Sequence, residues 1–243
     1  MRDFFRRIED GDEFIVETDM NAYAYSNKYG WLLSVFIKFD ASDENTKGFE
    51  EFLETKESLI IALEHDEKAK YVGGRSIDGW SELYFYAAES KGLDKIVAKI
   101  LAPSSYVYES HTVRDGKWDF HYKNLTPNEL ELAHMQSEKI IYLLEEEGDD
   151  LAVVRPVEHY ISFDTPTQKE KFLHGLDLDG FRFKDEVSSE EFENGLALIS
   201  EHAVTKEAVQ KVVETLFEAI KSEQGYYEGW STTLAGEEFQ CLK

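Results

Sequence analysis

Twice along this chain the hydrophobic period runs strand, helix, strand, strand, helix, strand, and that order constrains the fold more than any other feature. A strand with one buried face repeats every two residues, and an amphipathic helix every 3.6. In the first half, strand-like residues 31–40 give way to a helical stripe of Phe49, Phe52, Leu53, Leu59, Ile60 and Leu63. Tyr71-Val72 and Leu83-Tyr84-Phe85-Tyr86 read as two strands joined at Asp78-Gly79, a favoured hairpin dipeptide. Leu93, Ile96, Val97, Ile100 and Leu101 line a second helix, which Pro103 ends, before a strand over 106–113. Phe14-Ile15-Val16 adds a strand ahead of the series, and Asp115-Gly116 turns the chain into another over 118–122.

The second half repeats the order. Thr126-Pro127-Asn128-Glu129 opens a helix with a Thr cap and Pro at the first position, running through Leu130, Ile140, Ile141 and Leu144 to Glu145-Glu146-Glu147. Acidic residues at a helix C-terminus oppose its dipole, so that end is expected to fray, with Gly148-Asp149-Asp150 as a linker. Then come a strand over 157–163, a helix capped by Thr165-Pro166-Thr167, a strand at Phe181-Arg182-Phe183 and its partner over 195–199. A helix over 205–220 with Ala208, Val209, Val212, Val213, Leu216 and Ile220 inward leads to a closing strand over 225–234, where Gly229 marks a bulge or a close backbone approach. The expectation is an α+β fold: two tandem ferredoxin-like (split βαβ) α/β sandwich units with antiparallel sheets, over 1–125 and 126–243. Asp78-Gly79-Trp80-Ser81 and Glu228-Gly229-Trp230-Ser231 are similar tetrapeptides, a first hint of tandem units.

Composition narrows the function. Fifty acidic against 26 basic residues give a net charge of −24, with 26 acidic and 10 basic in residues 126–243. Phosphate binding rests on Lys and Arg, so a nucleic-acid backbone or an anionic membrane is not expected as a direct partner. A basic protein surface would be attracted, in a salt-sensitive way. The longest apolar runs are too short to span a bilayer, and the single cysteine, Cys241, suits a reducing compartment, so a cytoplasmic location is expected.

No catalytic motif is present. Gly73-Gly74-Arg75 lacks the Lys and the following helix of a phosphate loop. His121, His134, His174 and His202 have no metal-ligand spacing. Glu158 and His159 are adjacent on a strand, so they face opposite ways and cannot hold one atom together. No metal, cofactor or catalytic residue is assigned.

The helix over 130–147, the strand Val157-Glu158-His159-Tyr160-Ile161-Ser162 and the close Tyr226-Tyr227-Glu228-Gly229-Trp230-Ser231-Thr232 together resemble the regulator of ribonuclease activity B family. Residues 12–122 are similar to a bacterial domain family of unknown function, through 31–39, Val72-Gly73-Gly74-Arg75, and Asp78-Gly79-Trp80 leading into Leu83-Tyr84-Phe85-Tyr86. The resemblance implies a ferredoxin-like protein that is not an enzyme and binds another protein, a ribonuclease or its assembly. The chain departs from the family in carrying an extra domain, and in ending at Gln240-Cys241-Leu242-Lys243 without the long acidic tail of some relatives. Protein-binding residues are then expected at Glu158, His159, Tyr227, Glu228 and Trp230, and at Glu145, Glu146 and Glu147 for electrostatic attraction. The alternative is a small-ligand-binding or enzymatic protein with its site between the two units.

Overall fold

The computed structural model describes residues 2–9, 11–41, 43–175, 179–188 and 194–235; Cys241 and the rest of the C-terminal segment lie outside them. Contacts divide the chain into Met1–Pro127 and Asn128–Lys243. In the first unit, β3 (Trp31–Ile37), α1 (Phe49–Glu64), β4 (Ala69–Ile77), β5 (Trp80–Ala87), α2 (Leu93–Leu101) and β6 (Tyr108–Arg114) form the split βαβ series, preceded by β1 (Arg2–Glu9) and β2 (Asp12–Asp19). The sheet runs β1-β2-β4-β5-β3-β6 and all its pairs are antiparallel. Its last four strands have the ferredoxin-like order, and the β1–β2 hairpin widens that sheet along the β4 edge.

One face of this sheet packs under the two helices. Leu33, Val35 and Ile37 meet Phe52, Leu59 and Leu63 of α1 and Leu93, Val97 and Leu101 of α2, all buried. The other face is closed by residues 115–127. Trp118 stacks on Tyr86 with ring centroids 3.8 Å apart, and its indole N–H donates to the Tyr29 carbonyl at 2.6 Å. The strand expected at 118–122 is therefore corrected. Asp115 accepts from the amides of Asp119 and Phe120, each at 3.0 Å, and so starts a helical turn that continues as a wide π-type turn, His121–Leu125. Arg7 of β1 reaches the end of that turn, donating to the carbonyls of Lys123, Asn124 and Thr126 at 3.1, 3.0 and 2.9 Å. Carbonyls left over at a helix end need such donors.

The second unit opens with α3 (Glu129–Glu146), followed by β7 (Arg155–Phe163), α4 (Pro166–His174), β8 (Arg182–Val187), β9 (Asn194–His202), α5 (Lys206–Ser222) and β10 (Tyr226–Thr232). The order β10-β7-β9-β8, antiparallel throughout, is again ferredoxin-like, and α3 packs as an added helix on α5 and β10. The fold class expected from the periods is the one observed. The α3 cap, however, is Asn128 rather than Thr126: Asn128 Oδ1 accepts from the Glu131 amide at 2.9 Å, and the Glu131 carboxylate accepts from the Asn128 amide at 2.8 Å. The linker reading of 148–150 is also overturned. Asp149 has a fully buried side chain that pairs with both Nη atoms of Arg155 and accepts from the Ala235 amide at 2.9 Å, fastening this turn into the unit.

Candidate functional site

The two similar tetrapeptides occupy different positions in their units. Asp78 (φ 52°) and Gly79 (φ 75°) are the two central residues of the β4–β5 hairpin, with Ile77 opposite Trp80. Two positive φ angles are what a two-residue primed turn requires. Glu228-Gly229 instead forms a bulge within β10. Tyr227 pairs with Ile161, Gly229 with Tyr160 and Trp230 with His159, leaving Glu228 as the extra residue, with Gly229 at φ 126°.

That one inserted residue decides which side chains go inward. Alternation alone would place Tyr227 and Trp230, three positions apart, on opposite faces. The bulge turns both towards the helices and leaves Glu228 outside. Trp230 is buried, and its indole N–H donates to Ser137 Oγ of α3 at 3.0 Å; Ser137 in turn donates to the Ala133 carbonyl at 2.8 Å. The tryptophan thus pins α3 to the sheet.

Beside it lies a chain of three neutral side chains. His202 Nδ1 is 2.7 Å from the Ala203 carbonyl, which can only accept, so that nitrogen carries the proton. His202 Nε2 is then an acceptor for His159 Nε2–H at 3.1 Å, and His159 Nδ1 accepts from the Tyr227 hydroxyl at 2.9 Å. Burial, reinforced by the nearby His202, pushes the His159 pKa down to about 3. Burial also lowers His202 and raises Tyr227. A proton added to His202 Nε2 would set N–H against N–H, and one added to His159 Nδ1 would displace the Tyr227 O–H from which it accepts, in a site with little solvation.

The opposite face of the same sheet is polar, and among the described residues no helix of this unit packs on it. Glu158 pairs with Lys184 and accepts from the Tyr160 hydroxyl at 3.2 Å. Tyr160 shares a hydrogen bond of 2.9 Å with Ser231 Oγ, and Ser162 donates to Glu228. Lys184, followed by Tyr160, holds the Glu158 carboxyl below its usual range. These four interactions form a lattice across β8, β7 and β10.

The residues expected to bind a partner therefore divide in two. Glu158 and Glu228 stand on the polar face, and Glu145, Glu146 and Glu147 are exposed at the end of α3. His159 and Trp230 are buried at 0% and 4% exposure, and Tyr227 turns inward to His159, so these three side chains support the unit from inside. Sequence reasoning missed Tyr160 and Ser162, though period-2 alternation from Glu158 places both on its face. It also missed His202, which no pattern marks. Among the described residues no three His, Cys, Asp or Glu side chains converge as a metal site, and no helix is long and apolar enough to cross a membrane.

A family model described as Regulator of ribonuclease activity B matches residues 134–232. A second, described as Family of unknown function (DUF695), matches residues 3–126. No curated protein and no solved structure matches the chain.

Proposed function

From the premise that the chain belongs to the Family of unknown function (DUF695), with a second unit matched by Regulator of ribonuclease activity B, we propose that the protein is a non-enzymatic regulator that docks on a ribonuclease or its assembly. The observation that carries this reading is the regulator match itself, which spans the whole ferredoxin-like series from β7 to β10 and most of α3. The geometry supports it in one respect. The inward residues of the Tyr227–Trp230 motif hold the frame, while Glu158 and Glu228 are presented on a face rich in hydrogen-bonding groups.

Charge favours the same partner class. With 26 acidic and 10 basic residues over 126–243, the second unit attracts a basic protein surface and repels an RNA backbone. Regulation then comes from occupying the ribonuclease rather than its substrate. The test is a cleavage assay with purified endoribonuclease from the same cells and a fluorogenic single-stranded RNA. The full chain should slow cleavage in a saturable way and co-sediment with the enzyme, and Glu158→Lys combined with Glu228→Lys should weaken both effects. A stoichiometric excess that leaves cleavage unchanged and forms no complex would defeat the reading.

A further inference from the structure

The first unit carries a sheet that is wider than its two helices. Two helices are enough to cover the four strands of a ferredoxin-like sheet, but here the β1–β2 hairpin makes six. Two added strands widen a sheet by ~10 Å, at about 4.8 Å each. That is roughly the diameter of one α-helix with its side chains. On the face away from the helices the added width is covered, since Phe5, Phe14 and Val16 are buried there and Arg7 ties β1 to residues 123–126. On the helix side α1 packs on α2 and β4 and reaches the hairpin through the ion pairs of Lys56 with Glu17 and of Glu57 with Arg2, while Phe4 and Ile8 of β1 stay exposed.

The helix-side face is apolar where it meets α1. Antiparallel register puts Phe4 and Ile8 of β1 and Ile15 of β2 on this side. Phe4 is 57% exposed, Ile8 73%, and Leu53 on the adjoining flank of α1 42%. Between Phe4 and Leu53 lies a cavity of about 310 Å³, floored by Gly74 and Leu83 and walled also by Ile15 and Phe49. One end is closed by the ion pair of Lys56 with Glu17, which spans from α1 to β2. The other end continues, through the shared residues Ile15 and Ser76, into a polar cavity of about 470 Å³. Asp12, Glu13, Asp40 and Asp78 line that second cavity, and its one cation, Arg6, pairs with Glu13 at 3.3 Å.

We infer that this groove is a docking site for an amphipathic helix of a partner protein, with an apolar stripe and basic flanks. Width selects a helix. The stripe of Phe4, Ile8, Ile15 and Leu53 selects apolar residues at i, i+3, i+4 and i+7, the helix-in-groove mode of recognition. The acidic cavity that continues from the apolar one selects Lys or Arg on the flank facing it. The site belongs to the unit of unknown function and is independent of the polar face of the second unit.

The probe is a fluorescent peptide of Leu, Lys and Ala, about 18 residues long so that it can hold a helix, with leucines at i, i+3, i+4 and i+7. Its controls are the same peptide with Glu for Lys and a scrambled peptide of identical composition. Anisotropy with the full chain should give binding by the first peptide and affinities at least about tenfold weaker for both controls. Hydrogen exchange should be slowed in β1, β2 and the first turns of α1. Leu53→Lys and Ile8→Ala, both at exposed positions, should each weaken binding several-fold while leaving the thermal melt in place, and either alone is sufficient if the other does not fold. Equal binding of the scrambled peptide, or protection confined to the second unit, would overturn the inference. So would a dimer of this chain that Leu53→Lys dissociates, because the occupant would then be a second copy. The assay contains no ribonuclease, so its failure is separate from failure of the regulatory reading.

Discussion

Lowering the pH from 7.5 to 5.0 should weaken the second unit through His159 more than through any carboxylate. The imidazole has a pKa of about 3 in the folded chain, where burial disfavours its charged form, against ~6.5 unfolded. Between those values the unfolded chain binds more protons than the folded one, so stability falls as pH falls. The contribution is fully present above pH 6.5. Integrated from pH 7.5 to 5.0, the two pKa values give a loss of about 2 kcal/mol. Unfolded Asp and Glu titrate near ~4, so they are still largely ionised at pH 5.0 and add little over this window. The assay is a urea titration read by hydrogen exchange in peptides from β7 and α5, which isolates this unit. His159→Gln keeps an acceptor for Tyr227 and a donor for His202 but does not titrate. Its pH-dependent loss should be smaller than that of the parent by about 2 kcal/mol, the remainder coming from His202 and His134, whose pKa values are also lowered. An identical loss in parent and variant, or a His159 proton resonance that titrates near pH 6, would refute the reasoning.

Three other outcomes are expected. Arg155→Met leaves the buried Asp149 carboxylate without its cation and should cost about 3–5 kcal/mol, with new proteolytic cleavage at 148–150. Gly229→Val puts a β-branched residue at φ 126°, where nothing obstructs the side chain but the backbone conformation is unfavourable; a loss of about 1–3 kcal/mol in a thermal melt is expected. Charge reversal of the exposed Glu145, Glu146 and Glu147 should slow association with the ribonuclease at low salt, as read by stopped-flow, with a smaller effect at physiological ionic strength. Unchanged on-rates would exclude electrostatic docking through the end of α3.

The hydrophobic period made both ferredoxin-like series legible, because it reports the face each element buries. It misled where alternation arose for another reason. Trp118, Phe120 and Tyr122 alternate like a strand, yet Asp115 caps the amides of Asp119 and Phe120 and the Trp118 ring is held flat on Tyr86. Thr126 and Asn128 are equally good cap residues by composition; the choice fell to the one whose partner, Glu131, closes the reciprocal pair. Gly148-Asp149-Asp150 has linker composition, but a buried carboxylate is read from its partner, and Arg155 lies six residues on. At the candidate site the bulge was foreseen from Gly229, while its consequence for Tyr227 and Trp230 depends on a register that only the paired strands reveal. The groove beside α1 was not legible at all, since residues 2–9 carry three arginines and their pairing with β2 is what extends the sheet.

The bonds from Arg7 to Lys123 and Asn124 join residues 116 and 117 positions apart in the chain. During synthesis the first strand therefore leaves the ribosome long before its final partners exist. At ~5–20 residues per second the wait is roughly 6–24 s, far longer than the microseconds a hairpin needs to form. For that interval β1 and β2 can pair with each other, but Phe5, Phe14 and Val16, buried in the complete unit, are not yet enclosed by it. The hairpin is then an exposed apolar surface on a nascent chain, and the two flanking arginines, Arg6 and Arg7, supply the charge that keeps such an edge from pairing with a neighbouring chain.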